Sequence, residues 1–108
     1  MHFVLLIYSD EARWVTMAQA EREQGMAAYD VYRSALEESG VMTGGNRLRT
    51  SPAATTVRVV NGNAEVFDGP HSDLGGYFVI DVPDLDAALA WAVRCPAASH
   101  GVVEVRPL

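Results

Sequence analysis

The stretch Leu74-Gly75-Gly76-Tyr77-Phe78-Val79-Ile80-Asp81-Val82-Pro83 gives the clearest indication of the fold. Residues 77–82 are mostly β-branched or aromatic, which predicts a largely buried strand. Asp84 follows as the expected N-cap of a helix over residues 85–94, and Pro96 lies just beyond its end. We expect this helix to bury one apolar stripe, made of Leu85, Ala88, Leu89 and Ala92.

A β-hairpin is predicted upstream of this strand. Asn61-Gly62 separates two β-rich runs, residues 55–60 and 63–68, and this dipeptide favours a two-residue type I′ turn. The turn would place Arg58 opposite Glu65, where opposite charges stabilise a strand pair. Apolar residues would share the other, inward face of the hairpin, and these are Val57, Val59, Ala64 and Val66.

The first strand, residues 2–8, is apolar at both odd and even positions. This pattern is typical of a strand that is covered on both faces of its sheet. A domain of this size has helices for one face, so we expect a second subunit to cover the other. The pattern therefore predicts a homodimer.

The remaining segments complete an α+β chain in the order β-α-β-β-β-α-β. Residues 16–39 favour one long helix that ends at Gly40, and residues 43–54 are expected to form a loop. The last strand covers residues 102–106. The expected buried stripe of the long helix consists of Ala28, Val31, Ala35 and Val41 or Met42. We predict a ferredoxin-like sandwich with an added hairpin strand.

Composition limits the possible functions of this single domain, residues 1–108. Hydrophobic content of 49% with 20% charged residues is typical of a globular chain. Fourteen acidic and eight basic residues, all of the latter arginines, give a net charge of −6, which disfavours nucleic-acid binding. The chain has no apolar run long enough to span a bilayer. A lone cysteine, Cys95, and the lack of a leader pattern favour a cytoplasmic protein.

The histidines do not have metal-ligand spacing, and dinucleotide or phosphate-loop motifs are lacking, so we expect no metal and no cofactor. The main candidates for chemistry are Asp68 and His71 in the turn Asp68-Gly69-Pro70-His71, hereafter the 68–71 turn. A carboxylate beside an imidazole favours its charged form and orients it, as general acid–base catalysis requires. In the alternative interpretation, Asp68 bonds the amides of its own turn and His71 lies on a solvated loop.

Four further residues are candidates for substrate binding if they face away from the helices. They would line a cavity that is closed by the second subunit, and they are Tyr8, Arg58, Glu104 and Arg106. The arginines suit a small anionic ligand because a guanidinium group binds carboxylates in a bidentate manner. The alternative is a solvated or interface surface that ion pairs such as Arg58–Glu65 hold together.

The chain resembles the YCII-related family, in its DGPF-domain branch. The resemblance rests on the residue 3–8 strand, on residues 56–59, on Asp68-Gly69-Pro70 and on several later segments. The later segments are residues 74–77, 81–92, 94–97 and 103–107. It implies a dimeric α/β barrel in which two sheets meet and enclose a cleft.

Two departures from the family pattern affect the candidate site. His71 stands where the family's turn has phenylalanine, and Ser72-Asp73 replaces a longer charged segment. The wider family is associated with a His–Asp pair and with proposed enzyme activity, including dehydrochlorination in one branch. The predicted long helix contains no histidine, so that pair does not map onto this chain at the expected place.

Two functions follow from these observations. The first is a small-molecule enzyme of the lyase or isomerase type that uses Asp68 and His71 in a cleft near the dimer interface. The second is a non-catalytic ligand-binding or regulatory accessory protein, because relatives of the DGPF type are often found beside sigma-factor-like regulators.

Overall fold

The computed structural model describes the backbone of residues 1–108 and every side chain except that of Ser51. The chain forms three α-helices and six strands, with 3-10 turns at Ser51–Ala53 and Pro96–Ser99. The helices are α1 (Glu11–Thr16), α2 (Gln19–Glu38) and α3 (Leu85–Arg94). The strands are β1 (His2–Tyr8), β2 (Met42–Arg47), β3 (Thr55–Val60), β4 (Asn63–Asp68), β5 (Leu74–Asp81) and β6 (Val102–Pro107).

Four strands form one antiparallel sheet in the order β2-β5-β1-β6. The two crossovers that carry helices run from β1 to β2 and from β5 to β6. This order and connectivity are consistent with a ferredoxin-like fold, and they confirm the predicted mixed α+β class. None of the described helices is long and apolar enough to cross a membrane.

The hydrophobic core lies between one face of this sheet and the helices. Alternate residues of β1, namely Phe3, Leu5 and Ile7, point into it and are almost fully buried. Phe78 and Ile80 of β5 stand opposite them in register and are also buried. The helices and the segment that follows α3 supply Tyr32, Leu36, Ala88, Ala92, Cys95 and Ala97.

The opposite face of the sheet, hereafter the open face, has no helix over it. It displays the residues that alternate with the buried ones of β1 and their cross-strand partners. Its apolar and aromatic members are Val4, Leu6, Tyr8, Tyr77, Val79 and Val102. Most of these side chains are half-buried by their neighbours alone.

The hairpin forms with the predicted register but does not join the main sheet. Asn61 and Gly62 take positive φ values of 50° and 79°, as a type I′ turn requires, and Arg58 pairs with Glu65. β3 and β4 make a separate two-stranded sheet. The expectation that Val57 and Val59 point inward is therefore wrong for the single chain, where both are more than 60% exposed.

The structure also corrects the expected loop at residues 43–54. Met42–Arg47 is an edge strand that pairs with β5. The sequence pattern did not predict β2, because Gly44 and Gly45 have no side chains that could alternate between two faces. The same glycines permit the close pairing of β2 with β5. A Cβ atom on Gly45 would lie 2.8 Å from the carbonyl oxygen of Tyr77.

The helix predicted over residues 16–39 is α2 (Gln19–Glu38), a short helix α1 precedes it, and the buried stripe of α2 differs from the expected one. α1 ends at Thr16 and α2 starts at Gln19, so the chain bends between them. Tyr32 and Leu36 are the buried residues of α2, whereas Val31 is 71% exposed. In α3, Ala88 and Ala92 are buried as predicted, but Leu85 and Leu89 remain about half exposed.

Candidate functional site

Backbone hydrogen bonds hold the 68–71 turn at the base of the hairpin. The Gly69 amide donates to the Ala54 carbonyl at 2.8 Å, and the Thr56 hydroxyl donates to the Gly69 carbonyl at 2.8 Å. Gly69 has a φ of 107°, which a residue with a side chain rarely adopts. Gly69 therefore ties the turn to Ala54 and Thr56 at the start of β3.

The residues after the turn bring it to one end of the main sheet. The amide of Ser9 donates to the carbonyl of Asp73 at 3.3 Å, and Tyr8 stands opposite Leu74 across the β1–β5 pair. A register shift at this point of the pair interrupts the regular ladder. The 68–71 turn thus begins a short connection that ends beside Tyr8.

Asp68 and His71 both have exposed side chains. Among the side chains that the structure describes, neither the carboxylate nor the imidazole makes a hydrogen bond or an ion pair. The two groups therefore share a turn without being joined to each other in the single chain. Their catalytic role stays a prediction.

Three of the predicted binding residues share the open face. Glu104 stands opposite Leu6 and Arg106 stands opposite Val4, so both project to the side of the sheet that carries Tyr8. Glu104 and Arg106 form an ion pair at 3.3 Å. This face thus combines apolar surface with one phenol and one charged pair.

Arg58, the fourth predicted binding residue, lies apart from the other three. Its guanidinium group contacts Glu65 at 3.1 Å, and it sits 5.7 Å from the ring centroid of Phe67. All of these residues belong to the hairpin. The alternative of a cross-strand ion pair therefore describes Arg58 within the single chain.

The sequence interpretation missed Arg47 and Arg49, which lie at the end of β2 and just beyond it. Both are exposed, and the Arg47 guanidinium lies 5.3 Å from the centroid of the Trp14 ring. The two closely spaced arginines shortly after Gly44-Gly45 could have indicated an anion-binding site, but residues 43–54 were expected to form a loop. The contact with Trp14 joins residues far apart in sequence and has no local pattern.

Other ionisable groups lie in the core and not at the sheet end. Burial raises the pKa of Tyr29 and of Tyr32 above the ordinary phenol range, and the neighbouring Cys95 thiol adds to both shifts. Burial likewise raises the pKa of the Cys95 thiol. Tyr32 donates its hydroxyl to the carbonyl of Trp91 at 2.8 Å. Tyr32 and Cys95 belong to the hydrophobic core, and Tyr29 packs against it.

Comparison with known proteins gives the family. The model of the YCII-related domain matches residues 1–108. The chain belongs to the YCII-related family. A YCII-related chain of Rhizobium meliloti (strain 1021), an uncharacterised protein, is 33% identical over 114 residues and covers 100% of this chain and 92% of its own length.

A solved structure has a similar fold at low sequence identity. It is 5-chloro-2-hydroxyhydroquinone dehydrochlorinase from Burkholderia phenoliruptrix AC1100, in complex with 2,5-dihydroxybenzoquinone. It matches with a TM-score of 0.59 and 14% identity, and the match covers 100% of this YCII-related chain and 93% of the other. At this identity the likeness establishes the fold alone.

Proposed function

We propose that this YCII-related protein is a homodimeric small-molecule enzyme that uses acid–base chemistry of the lyase or isomerase type. The observation that carries the proposal is the 68–71 turn. Hydrogen bonds at Gly69 tie this turn to the hairpin, and neither Asp68 nor His71 pairs with another side chain that the structure describes. Ionisable groups held rigidly and left unpaired are suited to acting on a ligand.

The chemistry needs one proton acceptor and one group that stabilises its charged form. The His71 imidazole takes a proton from a carbon atom beside a carbonyl, and the Asp68 carboxylate stabilises the imidazolium that forms. In a lyase reaction the freed electron pair makes a double bond and the leaving group departs with its own pair. In an isomerase reaction His71 returns the proton to another carbon of the same substrate.

A second copy of the chain would close the cleft. The helices cover one face of the sheet, and the open face carries Val4, Leu6 and Val79 beside Tyr8 and the Glu104–Arg106 pair. Burying apolar side chains of this kind against a second sheet is favourable. Two such sheets face to face make a dimeric α/β barrel, with Tyr8, Glu104 and Arg106 between them and Arg58 on the hairpin near its rim.

The structural neighbour supplies a reaction type that fits the proposal. A dehydrochlorinase removes a proton and a chloride ion from its substrate, which is an elimination and needs a general base. The neighbour's complex contains a hydroxylated quinone, a planar ring with acidic protons. These are properties of that protein, and we use its ligand as a probe for this one.

Proton exchange tests the proposal without knowledge of the substrate. We expect the protein to accelerate exchange of the ring C–H hydrogens of 2,5-dihydroxybenzoquinone in D₂O, measured by proton NMR. Replacement of the base in His71→Asn should slow the catalysed exchange by about a hundredfold or more. Asp68→Asn should slow it in the same direction. His2→Asn is the matched control, because His2 is exposed at the opposite end of β1 from Tyr8.

The second candidate function is a non-catalytic ligand-binding or regulatory accessory protein. The observation that favours it is that Asp68 and His71 are exposed and are not joined to each other in the single chain. Binding of the quinone without catalysed exchange would favour this function and contradict the enzyme. A buried, free Cys95 supports a cytoplasmic location under either function.

A further inference from the structure

Arg47 and Arg49 are two exposed guanidinium groups separated by one residue. Neither lies within ion-pair distance of a carboxylate among the side chains that the structure describes. Other arginines of this acidic chain do find such partners, and these are Arg33, Arg58 and Arg106. Arg13, Arg22 and Arg94 likewise make no ion pair with a described carboxylate, so the feature that distinguishes the end of β2 is that two such arginines lie in one short segment.

Both arginines line the same concavity, whose volume is about 410 Å³. The concavity is largely open to solvent, so it can hold one end of a small molecule and leave the rest of that molecule outside. The remaining lining residues are Leu48, Thr50, Pro52 and Ala53. The concavity thus combines two cations and one hydroxyl group with apolar walls, which is the mixture that a small organic anion requires.

Trp14 holds the Arg47 side chain in place. The Arg47 guanidinium stacks 5.3 Å from the indole centroid, and a stacked guanidinium keeps its N–H edge available for an oxyanion. Trp14 in turn rests on α2 at Gly25, where a Cβ atom would lie 3.1 Å from the ring atom Cζ3. Gly25 thus leaves room for the indole ring of Trp14.

The concavity lies next to the 68–71 turn. The lining residue Leu48 is held against β5, because its amide donates to the Gly75 carbonyl at 2.9 Å. Its last lining residue, Ala53, precedes Ala54, whose carbonyl accepts the Gly69 amide of the turn. A ligand anchored by the arginines would therefore lie beside the segment that carries Asp68 and His71.

We propose that Arg47 and Arg49 bind the carboxylate or phosphate group of a small organic anion at this concavity. The remainder of the anion extends toward the 68–71 turn. The inference rests on the proposed function in treating this anion as the substrate, whereas the binding itself does not depend on catalysis. It assigns anion recognition to residues other than Arg58 and Arg106, both of which carboxylates already occupy.

The indole of Trp14 provides a direct measurement. The chain has two tryptophans, so Trp91→Phe leaves Trp14 as the single emitter. We expect titration with succinate or inorganic phosphate, at constant ionic strength, to give a saturable change in Trp14 fluorescence. Arg49→Gln should weaken the binding by about tenfold or more, which corresponds to about 1.4 kcal/mol, because it removes charge-assisted hydrogen bonds to the anion.

Two controls separate a specific site from general charge effects. Arg94→Gln removes the same charge from another exposed arginine and should change the dissociation constant less than about twofold. Arg47→Lys keeps the charge but loses the planar stack on Trp14, so it should weaken binding and alter the starting emission. Circular dichroism of each variant checks that the fold is retained.

Saturation by succinate alone assigns carboxylates, saturation by phosphate alone assigns phosphate esters, and saturation by both assigns oxyanions in general. Failure of both anions to saturate, or equal binding by Arg49→Gln and the parent protein, overturns the proposal. The proton-exchange assay reports on Asp68 and His71, and the fluorescence titration reports on Arg47 and Arg49, so a failed acid–base proposal and a failed anion site give different results.

Discussion

At the scale of residues, the surroundings of an ionisable group decide its role more than its chemical type does. Cys95, Tyr29 and Tyr32 carry reactive atoms, but the core surrounds them and burial raises the pKa of each. Asp68 and His71 carry a carboxylate and an imidazole, and both side chains are exposed on the 68–71 turn. Burial thus suppresses ionisation of the thiol and the two phenols, whereas Asp68 and His71 remain accessible to a ligand.

The raised pKa of Cys95 predicts a loss of stability at alkaline pH. An unfolded thiol ionises near about 8.5, whereas the folded thiol keeps its proton to higher pH because it is buried. Above the unfolded value the unfolded chain binds fewer protons than the folded chain, so the free energy of unfolding falls as pH rises. Urea titrations from pH 7 upward measure this fall.

Cys95→Ala is the control for this effect. It should remove the part of the decline that begins at the ordinary thiol pKa, and it should leave a later decline from the buried tyrosines, which starts near about pH 10. A variant whose unfolding free energy follows the same pH profile as the parent protein would contradict the assignment to Cys95.

At the scale of elements, local signals were interpreted correctly and long-range packing was not. Asp84 caps α3 by accepting the Ala87 amide at 2.9 Å, and Gly40 ends the α2 segment with a φ of 71°. These features depend on a few consecutive residues, as does the turn at Asn61. β2 was missed because a glycine-rich edge strand is defined by its partner β5 and not by its own pattern.

The candidate site likewise combines features that are local in sequence with features that depend on long-range packing. The 68–71 turn and the Arg58–Glu65 pair could be predicted, because a turn motif and a hairpin register are local. The common face of Tyr8, Glu104 and Arg106 follows from strand alternation once β1 and β6 are paired. The contact between Arg47 and Trp14 could not be predicted, because it depends on how α1 lies against β2 and α2.

The buried stripe of α2 gives a prediction that separates the two interpretations of this helix. Leu36 is fully buried and Val31 is 71% exposed. We therefore expect Leu36→Ala to lower the free energy of unfolding by about 2–5 kcal/mol, whereas Val31→Ala should change it by about 0.5 kcal/mol or less. Denaturant titration measures both values, and a larger loss for Val31→Ala would restore the stripe expected from sequence.

At the scale of the whole molecule, the fold is a sheet with helices on one side. In a single chain, no helix covers Val4, Leu6 and Val79. If the open faces of two copies lay against each other, each face would cover the other. The same assembly would put Tyr8 and the Glu104–Arg106 pair inside a cleft whose end lies close to the 68–71 turn. The proposed active-site cleft therefore requires this dimer.

Sedimentation velocity at micromolar concentration tests the dimer most directly. We expect the parent protein to sediment as a dimer and Leu6→Arg to sediment as a folded monomer, because the substitution places a charge in the centre of the open face. Val31→Arg, which adds the same charge to the exposed surface of α2, should remain dimeric. A parent protein that is a stable monomer, or a Leu6→Arg variant that remains a dimer, would contradict the account.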